Sequence, residues 1–173
     1  MSSFLNTLLG WARLAPPRII CARRIWEPGV RELARRTLDE TRESGAYLLG
    51  RTSKNGTHEI LEFVFYDDVD PKALATGIVT IRETALPRLW EICRARGYGV
   101  VADVHVHPSG YGQSASDRAG PVMPRPGHIA FILPNFAKGN PKPGGIGMYE
   151  FLGNGRWADH SKSGSRFLKL GWL

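Results

Sequence analysis

The chain has 173 residues, with 23 Lys and Arg against 16 Asp and Glu, so its formal net charge is +7 at pH 7. That length suits one globular domain held by its own core. Two cysteines, Cys21 and Cys93, stand outside any C-x-x-C pattern, which argues against a disulfide framework or a cysteine zinc knuckle and for a reducing compartment. No run reaches the roughly 18 apolar residues of a membrane span, so a cytoplasmic location is expected.

The excess of positive charge suits an acidic partner, whether nucleic acid, membrane surface or protein. Seven arginines between Arg13 and Arg36 supply much of it. They are spread over an expected strand and helix, with no aromatic residues spaced among them as a base-stacking platform. A solvated basic face is the expectation, and nucleic acid is not an expected partner.

Residues 4–14 place Phe4, Leu5, Leu8, Leu9, Trp11 and Ala12 at helical spacing, and Pro16-Pro17 ends such a helix. Asn6, Thr7 and Arg13 interrupt the stretch and no basic leader precedes it, unlike a signal peptide. Residues 1–17 are read as a short N-terminal helical arm, packing on the domain or docking on a partner or membrane surface. Residues 18–173 form the domain.

Arg18 to Arg24 alternates as a first strand, and Pro28 opens a helix over Val30, Leu33, Ala34 and Leu38 that runs to about Arg42. Glu43 stands at the mouth of a continuous apolar run, Ser44 to Gly50, which reads as a strand buried on both faces. Asn55-Gly56 marks a hairpin into a strand from His58 to Tyr66. The acidic cluster Asp67-Asp68-Val69-Asp70 lacks the spacing and closing glutamate of an EF-hand and reads as a plain turn.

Ile78 to Arg96 shows helical spacing, with Pro87 placed to kink it and Gly97 to close it. Val100 to His107 is a strand, Ser114 to Ala119 a short helix, and Ile129 to Leu133 a core strand. Phe136 to Gly147 reads as an exposed Gly/Pro loop. Met148 to Leu152, the turn Gly153-Asn154-Gly155 with Trp157, and an edge strand from Phe167 complete the chain.

In the strand Val100 to His107, alternation turns His105 and His107 to one face and Val104 and Val106 to the other. Pro108, Gly110 and Gly112 can bend the chain so that Asp117 approaches both imidazoles. Two His and one Asp leave a fourth position open, as in a catalytic zinc site. Asp103 shares that strand face and could orient one histidine as a hydrogen-bond acceptor. His128 reads as a packed or supporting residue, and His58 and His160 as surface residues.

The arrangement H-x-H-P, then Ser114-x-x-Asp117, with Glu43 opening an earlier strand, resembles the signature of JAMM metalloproteases, the JAB/MPN-type family. The likeness covers roughly residues 18–152. Nine residues separate His107 from Asp117, one fewer than in eukaryotic members. Asp117 to Met123 and Gly127 to Ala130 are similar to bacterial members encoded beside ubiquitin-like conjugation enzymes in defence operons.

The resemblance implies an α+β domain with a curved, mostly antiparallel sheet flanked by two main helices. It implies one zinc ion on His105, His107 and Asp117, Glu43 as general base, and Ser114 as donor to the developing oxyanion. The implied substrate is a ubiquitin-like modifier or its conjugates, cut after the last glycine, with activating- and conjugating-enzyme-like proteins in the same pathway. Loop 136–147 is a candidate wall for the modifier's tail.

From the residues alone, Asp39 and Glu40 compete with Glu43. Ser109 and Ser116 compete with Ser114, which could instead cap the helix that begins there. His107-Pro108-Ser109-Gly110 also resembles RadC-type JAB proteins linked to DNA, and trimming of a sulfur-carrier protein is a further substrate class.

Overall fold

The computed structural model describes residues 15–171, so the helix read over 4–14 and the last two residues lie outside the described residues. Eight strands form one sheet: β1 (Ile19–Ala22), β2 (Gly45–Thr52), β3 (His58–Phe65), β4 (Gly99–Val106), β5 (Ile129–Leu133), β6 (Gly147–Gly153), β7 (Arg156–Asp159) and β8 (Leu168–Gly171). Their order is β7-β6-β5-β4-β2-β3-β1-β8. β1 runs parallel to β3 and β8, and β4 parallel to β5; the other pairings are antiparallel.

The sheet lies between helix α1 (Arg23–Arg36) and helix α3 (Leu86–Arg96). This is why β2 is buried throughout Gly45–Gly50 and reads as an unbroken apolar run. On one face Trp26, Val30 and Leu33 of α1 join a core with Leu48, Val104 and Phe131. Trp26 meets Phe63 and Phe131 edge to face, with ring centroids 5.9 and 6.0 Å apart. On the other face Tyr47, Leu49 and Val64 pack with Leu89 and Cys93 of α3.

Both long helices are shorter or displaced relative to the sequence reading. α1 begins at Arg23 and carries Pro28 in its second turn. Proline can sit there only by leaving the Arg24 carbonyl without its helical donor. α1 ends at Arg36, because Leu38, Asp39 and Glu40 all adopt positive φ (49°, 55° and 68°). Thr37 closes it by donating its hydroxyl to the Ala34 carbonyl at 2.7 Å.

α3 starts at Leu86, after a single 3₁₀ turn over Glu83–Ala85, so Pro87 sits in the first turn and kinks nothing. Gly97 ends the helix in the left-handed conformation (φ 68°), as read from the sequence. Residues 78–82 are not helical. Val79 and Ile81 cover the second core instead, while Arg82 donates its backbone N–H to buried Asp70.

The acidic cluster forms a one-turn helix, α2 (Tyr66–Val69), rather than a plain turn. Asp67 and Asp68 both accept from Arg36, at 2.5 and 2.9 Å. Trp157 belongs to β7, a strand the sequence reading did not separate from the turn before it. Among the described residues no helix is long and apolar enough to cross a membrane.

Candidate metal centre

Pleating of β4 sends Val104 and Val106 into the core beneath α1 and turns His105 to the opposite face. His107 lies one residue past the strand and donates its N–H to the Leu133 carbonyl of β5 at 2.9 Å. The two Nε2 atoms stand 3.0 Å apart. Asp117 brings Oδ1 to 3.4 Å from His105 Nε2 and Oδ2 to 3.3 Å from His107 Nε2.

These spacings test whether zinc fits. Ligand bonds of about 2.0–2.2 Å in tetrahedral geometry put neighbouring ligand atoms about 3.3 Å apart. The three measured separations fall around that value. Only one proton fits between two imidazole nitrogens 3.0 Å apart, so the cluster offers several converging lone pairs with few hydrogens. The donor set fits a borderline divalent cation such as zinc.

The electrostatics agree. Burial disfavours ionised Asp117, yet hydrogen bonds from His105 and His107 outweigh it and hold the carboxyl well below the usual carboxylate range. Burial likewise pulls His105 down, but the hydrogen bond and charge of Asp117 prevail and leave its pKa raised.

Asp117 is placed by helix α4 (Ala115–Ala119). Ser114 caps it: its Oγ accepts from the Asp117 N–H at 3.1 Å, and Asp117 Oδ2 accepts from the Ser114 N–H at 2.6 Å. This reciprocal capping box gives Asp117 both a structural bond and an edge towards the histidines. The nine-residue connection closes because its backbone is pinned. Ser109 and Tyr111 carbonyls accept from the Asn135 N–H and the Tyr149 hydroxyl at 2.8 and 3.0 Å.

Glu43 precedes β2, where Gly45 pairs with His105 and the Ser44 carbonyl accepts from the Val106 N–H at 2.9 Å. Continued by one step, that register would set Glu43 opposite His107, although the Glu43 N–H itself donates to the Gly77 carbonyl at 2.8 Å. Its Oε2 accepts from the Val79 N–H at 3.4 Å, and its negative charge contributes to raising the His105 pKa. Glycine is required at position 45. A Cβ there would stand 2.8 Å from the Val104 carbonyl oxygen and run into the Tyr66 ring.

Among the competing residues, Glu40 pairs with Lys138 and Asp39 lies in the exposed positive-φ segment, while Ser109, Ser114 and Ser116 are all exposed and only Ser114 caps the helix that carries Asp117. Loop 136–147 is less exposed than expected, with Ala137 and Ile146 buried, and it starts beside the site: the Phe136 N–H donates to the His107 carbonyl at 2.8 Å.

Asp103 does not orient a histidine ligand. Its carboxylate, 2 % exposed, accepts from the Tyr66 hydroxyl at 2.9 Å and meets His128 Nε2 at 2.6 Å. His128 is therefore a supporting residue, as expected. Tyr66 was not singled out in the sequence, where only its place at the end of a strand was visible. His160 and His58 are not simple surface residues. His160 stacks on Phe167 with centroids 4.4 Å apart and reaches Glu150, and half-buried His58 bonds Thr52.

No family model matches the chain. Its fold is similar to that of DSY2949, a protein from Desulfitobacterium hafniense solved in solution. The match has a TM-score of 0.64 over 90% of this chain and 94% of that one, at 14% identity. At such identity the likeness is one of fold.

Proposed function

We propose that this protein is a zinc-dependent peptidase of the JAMM type that hydrolyses the peptide or isopeptide bond after the C-terminal glycine of a ubiquitin-like modifier. The observation that carries the reading is the convergence of His105, His107 and Asp117 at zinc-ligand spacing, with Glu43 two residues before the β2 residue that pairs with His105. Zinc held there supplies Lewis acidity and lowers the pKa of water at its open position.

The chain supplies the rest. Glu43 Oε2, held only by the long bond from Val79, accepts the proton of the attacking water and returns it to the leaving amine nitrogen. Ser114 Oγ uses a lone pair for the Asp117 N–H, so its own hydrogen is free for the developing oxyanion. Burial of His105 keeps bulk water from its imidazole.

The modifier's tail lies in extended form along residues 77–81, which border Glu43 through the Gly77 carbonyl and expose Ile78. Glycines at the cleavage point let the backbone of the tail approach this segment closely. Activating- and conjugating-enzyme-like proteins of a bacterial anti-phage pathway are the expected companions.

The test is zinc content after dialysis at neutral pH, together with cleavage of modifier fusions with and without chelator. Stoichiometric zinc and chelator-sensitive cleavage support the proposal. Cleavage that survives both chelation and E43A overturns it. Zinc binding with cleavage of sulfur-carrier fusions alone keeps the chemistry and replaces the substrate class.

A further inference from the structure

A second cavity lies at the far end of β4, about 20 Å along the strand from His107 at 3.3 Å per residue. Its volume is ≈ 640 Å³, within the size range of small-ligand sites. It opens where β2 slips register against both neighbours, at Leu48/Leu49 with β4 and at Leu49/Gly50 with β3. At Gly50 the Glu59 carbonyl occupies the space a Cβ would need, so this irregularity depends on glycine.

The lining brings together three guanidinium groups and two imidazoles. Arg18, Arg51, Arg125, His58 and His128 all face this cavity. Arg18 Nε and His58 Nε2 are buried and have no hydrogen-bond partner among the described residues. His58 already uses Nδ1 on Thr52 Oγ1, at 2.8 Å, so Nε2 is the atom left to recognise something else. Buried polar atoms without partners are costly and rare in folded proteins; two at one cavity mark a place for a ligand.

The remaining cations are available. Arg18 reaches Glu150 only at 3.4 Å, and that carboxylate is shared with His160. Arg51 lies over the Tyr98 ring at 5.2 Å, and neither it nor Arg125 forms an ion pair among the described residues. Burial and then the charge of Arg18 push the His58 pKa down, with Arg125 and His128 adding to the effect. The three guanidinium groups line a single cavity rather than tracking an extended strand as a nucleic-acid groove would. Val100, Met123 and Pro126 add an apolar wall to the same cavity.

We propose that this cavity binds a nucleoside mono- or diphosphate, its phosphate held by Arg18, Arg51, Arg125 and His58 and its base against Val100, Met123 and Pro126. Guanidinium forks match phosphate oxygens in pairs, and a flat, weakly polar base suits the wall. The site is separate from the metal centre and requires no metal.

The test is calorimetric titration of the full chain, held in chelator, with AMP, ADP and inorganic phosphate. Chelator keeps the outcome independent of the peptidase reading. Saturable one-to-one binding of AMP or ADP, tighter than inorganic phosphate, is expected. Exposed Arg51 and Arg125 allow R51A and R125A without loss of fold, verified by an unchanged melting temperature without ligand. Each should weaken binding about tenfold or more. Absence of saturable binding at millimolar nucleotide, or an affinity unchanged from the native chain in both variants, overturns the proposal. So does an oligonucleotide that binds more tightly than AMP and loses its affinity steeply with salt.

Discussion

Replacing Asp103 separates two roles that the strand pattern alone confounds. In D103N the shape is kept, but the side chain has one acceptor oxygen for two former partners, Tyr66 Oη and His128 Nε2. One of these buried groups then faces an amide N–H₂ instead of a carboxylate. A buried donor left without its acceptor costs about 1–3 kcal/mol. D103A strands both, so its cost approaches about 2–6 kcal/mol if the two effects add. Against a total stability of about 5–15 kcal/mol, D103A approaches the limit of folding, and D103N is the better probe. Urea unfolding of metal-free protein, followed by tryptophan fluorescence at constant slope, reads the loss. Zinc titration reads the second role. Removing a group that orients a histidine ligand typically costs 10–100-fold in metal affinity, whereas Asp103 makes no bond to His105 or His107, so D103N should lose less than about tenfold. A stability change under about 0.5 kcal/mol, or a large zinc defect at unchanged stability, would refute this placement of Asp103.

E43Q should retain full zinc content while cleavage of a modifier fusion falls by about 10²–10⁴-fold, the range for a lost general base; mass spectrometry of the metal and a gel-based cleavage assay check both. Metal-free protein should be most stable between about pH 4 and 6.5. Depressed Asp117 contributes above the unfolded carboxylate pKa and loses that contribution as pH falls through its folded value, while raised His105 contributes below about 6.5 and loses it as pH rises. Zinc should reverse the alkaline decline in melting temperature, because binding requires neutral imidazoles. Cys21, whose thiol burial pushes up to about 12, should not react with a thiol reagent at pH 8 until the chain unfolds. G45A should destabilise by about 1–3 kcal/mol, since the Val104 carbonyl cannot move away from the added methyl.

What the sequence displayed and what it concealed divide along physical lines. β2 and β5 were legible because burial on both faces demands unbroken apolar runs, and the His105/His107 pair because alternation alone puts both on one face. Asp117 was legible because Pro108, Gly110 and Gly112 allow the chain to turn back on the histidines, and the capping box with Ser114 that fixes it appears only in the structure. The start of α1 was misplaced because Pro28 normally opens a helix, and here packing of Trp26 at 0 % exposure outweighs the lost hydrogen bond. The extended course of residues 78–82 was hidden because its apolar residues serve the core without a helical backbone. The Asp103–His128 bond and the basic cavity join residues distant in sequence, from Arg18 to His128, and no local pattern announces such convergence.

The position of the metal centre follows from one parallel pairing. β2, β3 and β4 are joined antiparallel, and β5, β6 and β7 likewise, but β4 and β5 run parallel with Asp103 against Ala130 and His105 against Ile132. A parallel pair cannot be closed by a tight hairpin; the chain must leave the carboxyl end of β4 and travel back to the amino end of β5. Residues 107–128 make that journey, and their first part necessarily hangs over the end of β4 where His105 and His107 project. Asp117 therefore arrives above the histidines by topology, and the capping box only sets its final orientation. The last part of the same crossover descends past the other end of β4, delivering Arg125 and His128 to the second cavity. One connection thus places Asp117 at one end of the strand and Arg125 and His128 at the other, with His128 bonded to Asp103 in between.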